Sequence, residues 1–89
     1  MRRTYISVTS VFKTDGLMLL RSFRWTDGKT YKIDHVSEIK QGFSMKHGRL
    51  EDRYTVWVEG RQSNLYFERS NAITGNNIGR WFIESDYVE

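Results

Sequence analysis

The chain reads as all-β: a small, five- or six-stranded antiparallel barrel, SH3-like or OB-like, with its third strand bent. Three observations predict this. Apolar and polar residues alternate with a period of two in six short runs. Asp-Gly and other Gly-bearing turns separate those runs, supplying the positive φ that tight hairpins demand. No proline occurs anywhere in the 89 residues, so no position lacks an N–H for a strand ladder. A barrel is the economical closure, because a short open sheet leaves edges exposed.

The first strand spans Thr4 to Phe12, with Ile6, Val8 and Phe12 on one side and Tyr5, Ser7, Thr9 and Val11 on the other. Asp15-Gly16 turns the chain into a second strand, Leu17 to Trp25, where Leu19, Phe23 and Trp25 are in phase and Arg21 interrupts them. Asp27-Gly28 closes a second hairpin. In the third strand, Thr30 to Ile39, Tyr31 and Ile33 are in phase but Val36 and Ile39 are not. A bulge or bend near Asp34-His35 accounts for the slip. Gln41 to Asp52 looks like an irregular excursion holding at most one helical turn. Arg53 to Glu59, Gln62 to Glu68 and Arg80 to Glu84 complete the strands. Gly60-Arg61 makes one turn, and Ser70 to Gly79 carries turn chemistry throughout. The tail to Glu89 is expected to fray.

Length allows one domain, 1–89, burying roughly 60–65% of its unfolded surface. Without cysteine there is no disulfide framework, thiolate nucleophile or Cys-based zinc site, which suits a cytoplasmic setting. The longest apolar run, Leu17 to Leu20, is far below the roughly 18 residues that span a bilayer, so no membrane role is expected. Net charge is +3 but uneven: residues 1–50 carry ten Lys/Arg against four acids, and residues 51–89 four Arg against seven acids. Such asymmetry marks a face for nucleic acid or an acidic partner, or simply a solvated surface.

Two residue sets are candidates for binding. In the last three strands one side reads Tyr54, Val56, Val58, Leu65, Phe67, Trp81 and Ile83, a sufficient core face. The opposite side centres on Trp57, Tyr66 and Phe82, each flanked by polar residues. In register these three would form an aromatic stripe. It is covered by the protein's own 41–52 segment or N-terminal strand, or it serves self-association, or it is a ligand platform. The rim of Glu59, Glu68 and Glu84 favours a protein partner or a second subunit over nucleic acid there. The alternative is nucleic-acid binding through the basic N-terminal half, using Arg21, Arg24, Lys29, Lys32, Lys46 and Arg49. Trp25 and Tyr31 interleave with those cations but read equally as a core pair.

Catalytic signatures are missing. His35 and His47 lack metal-ligand spacing, and no serine sits in a G-x-S-x-G elbow. Ile73 to Arg80 lacks the Lys-Ser/Thr pair of a phosphate loop. Neither catalysis, a metal nor a cofactor is therefore expected.

Trp25-Thr-Asp-Gly-Lys-Thr-Tyr-Lys-Ile-Asp34 follows a W-x-D-G-x-x-Y-x-I-D pattern, Arg53-Tyr-Thr55 an R-Y-T element, and Gly79-Arg-Trp-Phe-Ile-Glu84 a closing G-R-W-F-x-E. On these motifs the chain resembles a family of short, uncharacterised, mobile-element-associated proteins of Gram-positive bacteria. The resemblance implies a compact β-barrel and carries over no activity or catalytic residue. The expectation from residues and resemblance together is a non-catalytic interaction module.

Overall fold

Alternating side chains give each strand two faces, and seven such strands make up the computed structural model of this chain. It describes residues 2–85, with side chains for all of these but 71–74 and 85. The tail expected to fray lies partly at 86–89, outside the described residues. The strands are β1 (Arg2–Phe12), β2 (Met18–Arg24), β3 (Thr30–Lys32), β4 (His35–Ser44), β5 (Arg49–Val58), β6 (Arg61–Thr74) and β7 (Asn77–Ser85). All pairings are antiparallel, in the order β3-β2-β1-β7-β6-β5-β4, and the sheet curls into a half-barrel. The connectivity is a meander with no Greek-key crossing among the described strands.

Seven strands replace the expected five or six, because the run from Thr30 to Ile39 forms two. The break falls at Ile33-Asp34. The Ile33 N–H donates to the Arg21 carbonyl of β2 (2.9 Å), and the next N–H, of Asp34, donates to the Trp57 carbonyl of β5 (2.8 Å). In one residue step the chain passes from one end of the sheet to the other. A second register shift in β4, between Val36 and Glu38, brings Ile39 onto the face of Val36. β1 makes the complementary transfer: Arg2 to Ile6 pair with β7, and Ser7 to Phe12 with β2.

The core lies where these two bends fold the β1–β2–β3 side over β5–β6–β7. Val56 and Leu65 are fully buried at its centre, joined by Leu20, Phe23, Ile33 and Val58. Ile6, Val8, Trp25, Tyr31, Tyr54, Trp81 and Ile83 pack around them. Leu20, not Leu19, supplies the buried leucine of β2. Thr9 pairs with Ser22 and Ser10 with Leu20, so Arg21 is the extra residue of a bulge and the phase reverses across it.

Two stretches read as irregular are extended strand. β4 continues to Ser44 and β5 begins at Arg49, leaving a short turn in place of the excursion. β6 runs to Thr74, which pairs with Asn77 across Gly75-Asn76. These lengthened strands carry the sheet beyond the core. The radius of gyration of 13.3 Å accordingly exceeds the roughly 12 Å of a compact domain of this length. Among the described residues there is no helix, hence none long and apolar enough to cross a membrane.

Candidate interaction surfaces

Cross-strand register places Tyr5 opposite Phe82, Phe82 opposite Tyr66 and Tyr66 opposite Arg53 along the face turned away from the core. Tyr66 and Phe82 stack, with centroids 5.1 Å apart and planes 7° from parallel, while Tyr5 meets Phe82 edge-on at 5.7 Å. The Arg3 guanidinium closes the top, 4.2 Å from the Phe82 ring centre, and Phe82 is fully buried. Two of the three residues of the expected stripe therefore cluster, and Phe82 is sealed by side chains of the N-terminal strand.

Trp57 is not part of it. It pairs with Gln62 and His35, and its indole stacks on the His35 ring at 5.8 Å. Four residues of β5 separate it from Arg53, the residue opposite Tyr66, a distance of about 13 Å along the strand. Tyr66 and Phe82 come together, and Trp57 stands apart.

Ion pairs cover the cluster. Glu68, only 4% exposed, accepts from the Arg3 guanidinium (3.1 Å), the Tyr5 hydroxyl (3.2 Å), Arg49 (3.2 Å) and Arg80 (2.9 Å). Glu51 faces Glu68 directly across β5–β6, a repulsive juxtaposition unless a cation intervenes. Arg3 does so, reaching Glu51 at 2.8 Å. Burial by itself would raise the Glu68 carboxyl, but hydrogen bonds from Arg80 and Tyr5 and the charges of Arg80 and Arg49 outweigh it and hold it below the usual carboxylate range. Burial and the neighbouring Glu84 charge push the Tyr66 phenol up. The sequence pattern shows Glu68 only as a rim residue and does not reveal this network. Its signal would have been the in-phase set Glu51, Arg53, Tyr66, Glu68, Arg80 and Phe82.

The six basic candidates fall into two groups. Arg21, Arg24, Lys29 and Lys32 are exposed on the β2–β3 hairpin, where Lys29 lies 5.4 Å above the Tyr31 ring. Tyr31 itself stacks on Phe23 at 5.3 Å, so its place is the core side. Lys46 and Arg49 belong to the β4–β5 hairpin, and Arg49 is engaged by Glu68.

Two further features have the character of binding surfaces. Where β1 leaves β7 after Ile6–Trp81, a cleft of about 470 Å³ opens, lined by Tyr5, Arg24, Trp25, Gly79, Arg80 and Trp81 among others. At the far side of the sheet, β4 is an edge strand whose core-side face carries Ile39 (58% exposed) and Phe43 (59% exposed). Leu50, opposite Phe43, and Met45 in the turn extend this apolar patch. Among the described residues no group of three or more His, Asp or Glu is placed to hold a metal ion. Comparisons with protein-family models, curated proteins and solved structures found no match.

Proposed function

We propose that the chain is a non-catalytic interaction module that pairs with a second copy of itself along the outer edge of β4. The observation that carries this is an edge strand of ten residues with apolar side chains exposed on its core-side face. Monomeric proteins blunt such edges with proline, brevity, an inward-pointing charge, lysines or a bulge. On β4 the irregularity lies before Glu38 and Lys40 is on the other face, so the core-side row of residues 39–43 is unguarded. The other end of the sheet, β3, is three residues long and needs no such device. On β4 the core-side positions are Val36, Ile39, Gln41 and Phe43, with neither charge nor proline among them.

The strand is also self-complementary. An antiparallel pairing centred on Gln41 aligns residues 38–44 of the two copies and avoids the register shift before Glu38. It sets Ile39 of each copy against Phe43 of the other, twice over, and leaves Lys40 opposite the small Gly42. The closed two-fold contact that results joins the two sheets into one. This places the interface on different residues from Trp57, Tyr66 and Phe82, since Phe82 has no surface to offer.

Molecular mass in solution tests the proposal. The wild-type chain is expected to sediment as a dimer, and Ile39→Lys as a monomer with an unchanged β-type circular dichroism spectrum. Two-fold symmetry removes two buried contacts per substitution, so the dissociation constant is expected to rise about 100-fold or more. A wild-type chain that stays monomeric at high micromolar concentration would falsify this reading, as would a dimer indifferent to Ile39→Lys and Phe43→Lys.

A further inference from the structure

We propose that the cleft between β1 and β7 binds a nucleotide unit, its base against the indoles of Trp25 and Trp81 and its phosphate on Arg24. The inference is independent of self-association, which uses the β4 edge of the sheet.

The cleft exists because β1 changes partner. Ile6 is the last residue of β1 paired with β7, and Ser7 is already paired with Arg24 of β2. Gly79 and Arg80 are thereby left with no strand partner on that side among the described residues, at the point where β1 turns from β7 to β2. The volume of about 470 Å³ falls within the roughly 300–1,000 Å³ typical of small-ligand sites.

Its walls combine the two elements that hold nucleotides. Trp25 and Trp81 are half-buried: both pack against the core and both also line the cleft. Base stacking on such rings tolerates any base, because every base has a π-face. The cations are divided by role. Arg80 is already engaged, donating to Glu68 at 2.9 Å and lying 4.0 Å over the Tyr5 ring, so it shapes the wall and adds a positive field. Arg24 is exposed and makes no ion pair among the described residues, which leaves its guanidinium for a phosphate. Of the six basic candidates, it alone lines this cleft.

The obvious competitor, a peptide added as a strand to this edge of β7, is disfavoured by the length of the edge. Only Asn77 to Arg80 lie beyond the reach of β1, too short an edge to hold a separate peptide by main-chain bonds.

Tryptophan fluorescence titrations of the full chain with adenosine monophosphate and with short oligothymidylate, at low salt, test the proposal. Quenching is expected with at least one probe, with an affinity that falls steeply as salt is added. Saturation by the mononucleotide at equal affinity assigns a free nucleotide, and much tighter binding of the oligonucleotide assigns a single strand. Arg24→Ala, at an exposed position, is expected to weaken binding about tenfold, and Trp25→Leu about ten- to a hundredfold. No quenching by either probe at low salt overturns the proposal. So does binding insensitive to Arg24→Ala, or displacement by an acidic peptide as effective as that by oligothymidylate.

Discussion

Glu68→Gln is expected to destabilise the fold by about 3 kcal/mol, the lower end of the range for removing one partner of a buried ion pair. The lower end applies because two of its three arginines can turn toward water: Arg80 is 56% and Arg49 38% exposed. Arg3, 19% exposed and held over Phe82, cannot, and keeps only Glu51 of its two carboxylate partners. The same substitution should change how stability depends on pH. The folded Glu68 carboxyl lies below its unfolded value of roughly 4.3, so its contribution is fully present above that value. It disappears as pH falls through the folded value, where both states bind the proton equally. Urea denaturation at neutral pH and at about pH 3 measures this directly. The wild-type midpoint should drop sharply on acidification, and that of Glu68→Gln should drop by less. Equal acid sensitivity in the two proteins would remove Glu68 from the centre of the network.

Gly79→Ala is the second large effect, about 3 kcal/mol or more. A methyl group there would overlap the Glu68 carbonyl and stand 2.7 Å from Cζ of Phe67, with φ at +153° besides. The ring cannot retreat, since it packs on Trp81 with centroids 4.9 Å apart. At roughly 4–8 °C per kcal/mol for a domain of this size, the melting temperature should fall by about 15 °C or more. Gly16→Ala provides the comparison. Its φ is +90° but nothing lies within 4 Å of the added methyl, so only the backbone term of about 1 kcal/mol is expected. Similar losses at both positions would mean that the contact with Phe67 is not what reserves position 79 for glycine.

Period and turn chemistry were legible in the residues. Asp15-Gly16 and Asp27-Gly28 turn where expected, the Asp15 and Asp27 carboxylates each accepting from the N–H two residues on (3.1 and 2.9 Å). The faces of the last strands were also legible, because Tyr54, Val56, Leu65, Trp81 and Ile83 do meet the core. Face, however, says nothing of register. Alternation places Trp57 and Tyr66 on the same side, but the two-residue turn at Glu59-Gly60 pairs Val58 with Arg61, and that fixes Tyr66 opposite Arg53. The segments 41–52 and 70–79 hid their strands for a different reason. They belong to the part of the sheet outside the core, where neither face needs a regular apolar row. The charge asymmetry between the two halves is in part internal neutralisation. Arg3 and Arg49 from the basic half meet Glu51 and Glu68 from the acidic half.

The pairing of Arg2 with Ser85 brings the first and last described residues side by side. Head and tail could thus be joined by a brief linker and the chain reopened at the exposed Asp27-Gly28 tip, with every ladder preserved. Such a circular permutant would make the β1–β7 pairing local in sequence and the three-residue β2–β3 pairing the distant one, exchanging a long-range search for a smaller one.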